Sequence, residues 1–377
     1  MKIAYTFSSI YNSRGMERIL LQKASYLADV LNYDVTIITT DQKNRPPFFP
    51  ISDKIKLHDL NINYDRYEST DKLLRFFYYK RLKKIHKKRL SDYLSDNRFD
   101  IVISLMTHDV DFLYKIQDGS KKLIEFHFSK EGIIIDCQNV ILKCLKSIQQ
   151  SYLKKYIKRY DKFIVLTEED KRAWGALENI IVIPNFTIIS KIDDVRNLNA
   201  KKVIAVGSLV YQKGFDLLLK AWKIVVQSHP DFKLTIFGSG NPSNLRNIIA
   251  NQDISGSVEI LSPTQNISAE YLNSALFVLS SRHEGLPLVL IEAMAHGLPV
   301  VSFKCPCGPS EIVKHEFGSL VEREDVRGLG IEISKWLSNP SNLIAGGDKA
   351  REAAKKYDIG IVMKLWDILF KEIVLKK

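Results

Sequence analysis

Ser280-Ser-Arg-His-Glu-Gly-Leu-Pro-Leu-Val-Leu-Ile-Glu-Ala-Met-Ala-His-Gly-Leu-Pro-Val300 is the stretch whose reading decides the fold. Leu276 to Ser280 ahead of it is a short apolar run of strand type, Leu288 to His296 has helical length, and Pro299 to Ser302 is apolar again. Strand, loop, helix and strand in that order are one unit of a parallel α/β sheet. Glu284 falls in the turn, followed by Gly285 and by Pro287, a residue suited to a first helical turn. Unpaired amides at such a helix start attract phosphate. Glu292 comes eight residues after Glu284, inside the helix. Two carboxylates flanking an anion-binding helix start suit a sugar diphosphate, because carboxylates accept from sugar hydroxyls while amides hold phosphate. Carboxylates also favour helix N-termini for purely structural reasons, so the spacing alone leaves both readings open.

Upstream, Val206-Gly-Ser-Leu-Val-Tyr-Gln-Lys-Gly-Phe-Asp216 repeats the pattern of strand, loop and helix start. Lys213 sits where the chain turns into the helix and is placed to neutralise phosphate. A series of such units runs from Lys202 to Ser302, with strands expected at 202–206, 232–237, 258–261, 276–280 and 299–302. A first series precedes it. Lys2 to Phe7 and Asp34 to Thr39 read as strands around a helix with Ile19, Leu20, Ala24, Leu27 and Leu31 at helical spacing. Further strands are expected at 100–105, 122–128, 162–166 and 180–183. The polar segment Asn185 to Ala200 reads as the linker. The expected fold class is α/β, with two doubly wound, Rossmann-like domains facing a central cleft, where ligands of open parallel sheets bind.

The bulk numbers agree with that division. A chain of 377 residues exceeds one ordinary core. Hydrophobic residues at 45% and charged residues at 26% give the balance of a globular protein. No apolar run is long enough to span a bilayer, and Met1 to Gly15 lacks a secretion signal. The four cysteines form no disulfide framework, and Cys305-Pro-Cys307 lacks zinc-site spacing. A cytoplasmic location is expected.

The net charge of +12 is local. Lys72 to Ser91 holds nine Lys/Arg and no acid, and Cys137 to Tyr160 holds six and no acid, so the rest of the chain sums to −3 (12 − 15). A local basic patch implies a local anionic partner. Leu74, Phe77, Tyr78, Arg81, Leu82 and Ile85 can share one helical face beside dense lysine, which suits the surface of an anionic bilayer. No nucleic-acid motif accompanies the charge, so no nucleic acid is expected as partner. The peripheral inner face of the cytoplasmic membrane is the expected place of work.

The spacing of Glu284 and Glu292, with Gly-Leu-Pro between and Glu-Ala-Met-Ala-His-Gly-Leu-Pro-Val after, resembles the E-x7-E motif of retaining GT-B glycosyltransferases, in particular family four. Gln212-Lys-Gly-Phe-Asp216, Cys307-Gly-Pro-Ser-Glu311, Gly15-Met-Glu-Arg18 and Val182-Ile-Pro-Asn185 are similar to further family segments. The resemblance implies an acceptor-side domain over 1–188, a donor domain over 199–358, and a last helix, 359–377, that returns to the first domain. It implies catalytic parts for Glu284 at the transferred sugar, for Lys213 at the diphosphate, and for His127, in Ile-Glu-Phe-His-Phe, facing the acceptor. Without the resemblance, His127 reads as a hydrogen-bonded core histidine. It implies donor binding by Gly15, Lys213, Gly285, Leu286, Pro287 and Leu288, with Glu292 on the ribose. The donor would be a nucleotide-sugar, most simply a UDP-sugar carrying a hexose or N-acetylhexosamine. The acceptor would be a glycan or lipid-linked glycan in cell-surface polysaccharide synthesis.

Two positions depart from the family. Ser208 stands where an arginine usually shares the diphosphate, with Arg282 as a candidate substitute, and Arg14 replaces the first glycine of a pair. Asp109-Val-Asp111 imitates a metal-binding motif, but phosphate neutralisation falls to lysine and amides, so neither metal nor cofactor is expected. Two rivals share the architecture: a non-hydrolysing sugar-nucleotide epimerase, and a catalytically decayed, membrane-associated binding protein.

Overall fold

The structure, a computed structural model, describes residues 1–67, 74–132, 140–189 and 196–375. Lys72, Cys137 and the middle of the expected linker, residues 190–195, lie outside the described residues. The first domain is built from β1 (Lys2–Phe7), α1 (Gly15–Asp29), β2 (Asp34–Thr39), β3 (Lys56–Asp59), α2 (Arg75–Asn97), β4 (Ile101–Ser104), β5 (Lys121–Glu125), α3 (Val140–Ile157), β6 (Lys162–Val165), α4 (Glu168–Trp174) and β7 (Ile180–Val182). The second comprises β8 (Lys202–Val206), α5 (Phe215–Ser228), β9 (Lys233–Phe237), α6 (Ser243–Asn251), β10 (Val258–Leu261), α7 (Ile267–Leu272), β11 (Leu276–Leu279), α8 (Leu288–Ala295), β12 (Val300–Phe303), α9 (Pro309–Ile312), β13 (Gly318–Val321), α10 (Val326–Leu337) and α11 (Pro340–Ala354). Helix α12 (Ile359–Leu375) ends the described chain.

Each domain holds one wholly parallel sheet, in the order β3-β2-β1-β4-β5-β6-β7 and β10-β9-β8-β11-β12-β13. The sequence explains this. Ile3 to Phe7 and Leu276 to Leu279 are continuously buried rather than alternating, as strands covered by helices on both faces must be. In each sheet the strand order reverses beside the first strand, between β1 and β4 and between β8 and β11, and such switch points are where open α/β sheets bind ligands.

Helix α12 does not extend the second core. Its buried side chains Val362, Met363, Trp366, Leu369, Phe370 and Ile373 follow helical spacing and join the first domain's cluster with Ile19, Leu20, Ala24 and Leu27 of α1. The two chain crossings run side by side: Thr187 N–H donates to Tyr357 O at 2.9 Å, and Ile359 N–H to Thr187 O at 3.0 Å. One short parallel bridge therefore joins both crossings.

The face of the basic helix expected at a membrane is exposed only in part. The buried seam of α2 runs through Leu82, His86, Leu90 and Leu94, while Leu74, Phe76 and Phe77 stand in solvent, the last two 59% and 69% exposed. Of the face expected at a membrane, Leu74 and Phe77 are exposed, whereas Leu82 is buried and Tyr78 and Ile85 are half-buried in the core cluster that holds Leu60, Ile62 and Tyr64. Among the described residues no helix is long and apolar enough to cross a membrane.

Phe370 is fully buried in the first domain's core although it lies at the end of the chain. Phe370→Ala should cost about 3–5 kcal/mol. In calorimetry the transition assigned to the first domain should fall while the second domain's moves little; loss of the second domain's transition alone would contradict this packing.

Candidate active site

Two loops at the switch point of the second sheet make the centre of the site. The chain leaves β8 through Gly207 and Ser208, makes a single 3-10 turn over Tyr211–Lys213, and enters α5 through Gly214. Gly214 has φ +62° and lies so near β11 that a Cβ there would stand 2.0 Å from Ser280 O, so no other residue fits. This approach lets the loops bond directly. Ser280 Oγ donates to Lys213 O at 2.9 Å, Arg282 N–H to Gln212 O at 2.7 Å, and Gln212 Nε2 to His283 O at 2.9 Å.

The result is a buried ion pair. Lys213 Nζ lies 2.6 Å from Glu284 Oε1, which also accepts from Ser281 Oγ at 2.6 Å. An ammonium has three donors, and Glu284 is the one partner of this ammonium among the described residues. Directly beyond, the backbone N–H groups of Gly285, Leu286, Leu288 and Val289 have no acceptor among the described residues. They are the leftover donors of the α8 start. Pro287 stands just outside the helix, at its N-cap, rather than in its first turn. A cation with spare donors beside free amides has the chemistry to receive an anion.

Glu292, five residues into α8, points to the other domain. Arg18 of α1 donates to its Oε1, and Tyr271 OH lies 3.4 Å from Oε2. Arg18, Tyr271, Glu292, Phe186 and Thr187 border a cleft of ≈ 270 Å³ between the domains. Gly15 opens α1 with free space around it.

Other expected residues stand elsewhere. Arg282 is not free to replace the missing arginine. Its guanidinium forks onto Asp216 at 2.9 and 2.8 Å, donates to Glu324 at 3.0 Å and Tyr211 O at 2.6 Å, and stacks 3.8 Å over the Tyr211 ring. Two carboxylates already offset its charge, so it braces the loop instead. Ser208 is exposed, next to Gly207, on which the Lys213 stem rests. Of the imitation metal motif, Asp109 is sealed by the hydroxyls of Thr6 (2.5 Å), Ser104 (2.7 Å) and Thr107 (3.1 Å), and Asp111 pairs with Lys83 at 2.5 Å. Among the described residues no cluster of three or more His, Cys, Asp or Glu could hold a metal.

His127 meets the site through its backbone. A Cβ on Gly285 would stand 2.5 Å from His127 O, so the residue after Glu284 packs on the other domain's main chain. The imidazole is buried, with Nε2 3.0 Å from Glu125 Oε2, which agrees with the plain reading of a bonded core histidine. Glu125 and its partner Lys23, 2.5 Å away, were missed in the sequence. Strand period two puts Glu125 on the face of His127, and Lys23 interrupts the apolar stripe of α1; both signals were legible.

The sequence pattern of the family described as glycosyl transferases group 1 matches residues 189–358. An uncharacterized glycosyltransferase of Haemophilus influenzae is 30% identical over 375 residues, covering 97% of this chain and 98% of its own. This chain belongs to the group 1 glycosyl transferases. The amylovoran biosynthesis glycosyltransferase AmsD of Erwinia amylovora is 27% identical over 381 residues, covering 98% of this chain and 99% of its own. Among solved structures, TarM of S. aureus superposes with a TM-score of 0.79 at 17% identity over 98% of both chains, so the fold is GT-B.

The transferase's domains also meet away from the cation. Glu311 of α9 accepts from Glu168 N–H at 3.1 Å and from Glu169 N–H, capping α4 across the cleft. Cys307 Sγ lies 3.6 Å from Asp170 Oδ1. Burial pushes Asp170 up to about 6, against the hydrogen bonds it receives from Lys130 N–H, Trp174 and Cys307. A carboxyl whose folded value exceeds its unfolded one binds more protons when folded, so stability falls as pH rises through the window from about 4 to 6. The melting temperature of Asp170→Asn should fall less than the wild type's across that window; parallel profiles would show that Asp170 does not titrate there.

Proposed function

We propose that the transferase moves a hexose or N-acetylhexosamine from a UDP-sugar to a glycan or lipid-linked glycan, with retention and without metal. The observation that carries this is the Lys213 ammonium, 2.6 Å from Glu284 and beside the free amides of Gly285 to Val289. In this reading the diphosphate takes the two spare ammonium donors and those amides, which stabilise the charge developing on the leaving phosphate. Glu284 accepts from hydroxyls of the transferred sugar close to the reacting carbon. Glu292 takes the ribose hydroxyls, in competition with Arg18. The departing phosphate oxygen helps to deprotonate the acceptor hydroxyl, so the protein supplies no nucleophile. TarM was crystallised with UDP and α-GlcNAc-glycerol, and AmsD is named for a polysaccharide pathway; both support a UDP donor and a polymer-building role.

Glu292→Ala should weaken UDP binding and Glu284→Ala should mainly lower turnover, each by about 1–3 kcal/mol for a buried group left unpaired. Calorimetric titration with UDP and a transfer assay separate the two. Unchanged binding and rate in both variants would refute the assignment, as would activity lost in EDTA and restored by manganese. Turnover of the UDP-sugar without any acceptor, giving an epimeric UDP-sugar, would favour an epimerase.

The acceptor side supports work at a membrane. Helices α2 and α3 flank one cleft of ≈ 280 Å³, lined by Tyr79, Lys83, His108, Gln150, Tyr152 and Tyr156. The same two helices carry exposed Phe76, Phe77, Ile148 and Tyr152, with Lys84, Lys87 and Lys88 facing solvent. Each basic residue near an anionic surface adds about 1 kcal/mol. The protein should therefore co-sediment with phosphatidylglycerol vesicles at low salt, and less at high salt. Reversing Lys83, Lys84, Lys87 and Lys88 to Glu should release it while UDP binding persists; indifference of the wild type to anionic vesicles would point to a soluble acceptor.

A further inference from the structure

Three buried side chains outside the donor loops form a chain that the proposed transfer does not itself require. Lys23 of α1 and Glu125 of β5 pair at 2.5 Å, and Glu125 holds His127 at 3.0 Å, with side chains 2%, 3% and 3% exposed. Burying a lysine and a glutamate together is costly and rarely the most stable arrangement. Here the pair is also enclosed by aromatics: Lys23 Nζ lies 4.0 Å from the Trp366 ring of α12 and 5.3 Å from Tyr5. The returning C-terminal helix thus covers the ammonium. Desolvation holds Lys23 below its ordinary value, against the pull of Glu125, while the charge of Lys23 and the hydrogen bond at His127 hold Glu125 below the usual carboxylate range despite its burial.

Among the described residues, two buried polar atoms of this triad have no partner: Glu125 Oε1 and His127 Nδ1. Buried polar groups are nearly always paired, so each exception asks for an explanation. Because Lys23 already compensates the charge of Glu125, the histidine need not be protonated to sit beside it. A neutral imidazole that meets a carboxylate through Nε2 donates its N–H there, and its other nitrogen then carries the lone pair.

We propose that Lys23 and Glu125 are positioning residues that lock His127 as the Nε2–H tautomer, keeping the Nδ1 lone pair at the domain seam to accept the proton side of an incoming hydroxyl. The seam is local to this residue: Gly285, next to Glu284, rests on the His127 carbonyl. Nδ1 is buried in this arrangement of the domains, so a hydroxyl reaches it as the seam at Gly285 parts, and arrives beside the loop that carries Glu284; the hydrogen bond it donates orients its oxygen lone pairs for reaction. This inference rests on the glycosyl-transfer reading, to which it adds the residues that orient the acceptor group.

The first test is independent of activity. Two-bond 15N–1H correlation spectra of histidine-labelled protein, with the His127 signal assigned by its loss in His127→Gln, should show a protonated Nε2 and an unprotonated Nδ1 at neutral pH. An Nδ1–H tautomer, a doubly protonated ring, or the averaged signal of a free histidine overturns the proposal. The second test compares two double variants with the same buried charge. Lys23→Met/Glu125→Gln keeps an acceptor for Nε2–H, whereas Lys23→Met/Glu125→Leu removes it. With UDP-N-acetylglucosamine as donor, kcat should stay within about threefold of wild type in the first and fall at least about tenfold in the second, with the donor KM unchanged in both. Equal kcat in the two variants, both folded by circular dichroism, overturns the proposal; if the leucine variant does not fold, the tautomer of the wild type decides. Should the wild type turn over no nucleotide-sugar while the tautomer is as stated, the glycosyl-transfer reading fails and the positioning of His127 stands.

Discussion

The ion pair between Lys213 and Glu284 depends on a backbone constraint before it depends on charge. The two side chains belong to loops 71 residues apart, and what brings them together is the left-handed turn at Gly214 against the carbonyl of Ser280. Around that contact, the Gln212 and Ser280 side chains and the Arg282 N–H zip the loops by donating to main-chain carbonyls. The pair is therefore preorganised, and little rearrangement is left for the ammonium when an anion arrives. Removing Lys213 would leave the buried Glu284 without its counter-charge, a larger loss than that of a surface pair, while Lys213 keeps some contact with water.

The second constraint is the seam. Gly285 on His127, Arg18 on Glu292, Glu311 on the start of α4 and Cys307 on Asp170 all cross from one domain to the other. Several of these atoms belong to the proposed site, so donor and domain compete for the same hydrogen-bonding capacity. Glu292 illustrates it: both its oxygens have partners, Arg18 and Tyr271, that ribose hydroxyls would have to share or displace. At the paired crossings, Thr187 is joined to Tyr357 and Ile359 by two main-chain bonds among the described residues.

Much of this was legible in the sequence because parallel sheets announce themselves. Continuous apolar runs such as Ile101 to Ser104 and Leu276 to Leu279, each before a loop and a helix, can hardly be read otherwise. Local order put Glu284, Lys213 and Glu292 at or near helix starts, and the resemblance to the E-x7-E glycosyltransferases singled them out. What local order cannot set is which partner a side chain finds across space. Arg282, two residues from Glu284, looked like a phosphate ligand until Asp216 and Glu324 were seen to hold it. Arg18 lies 274 residues from Glu292, and no pattern in either segment links them. Strand β3 escaped notice because it is four residues long and half exposed at the sheet edge. The apolar face of α2 read as facing a membrane is exposed only at its start, Leu74 and Phe77, because Leu82 is buried and Tyr78 and Ile85 pack on the first domain's core, a tertiary contact that helical spacing alone does not show.

The central claim is that an ammonium and a helix start, not a metal, receive the donor's diphosphate. A crystal structure with UDP, grown without divalent cations, addresses it directly. The account predicts phosphate oxygens within hydrogen-bonding distance of Lys213 Nζ and of the amides from Gly285 to Val289, with the ribose on Glu292. A nucleotide bound elsewhere, or one that binds only through an added divalent ion while Lys213 stays on Glu284 alone, would contradict it.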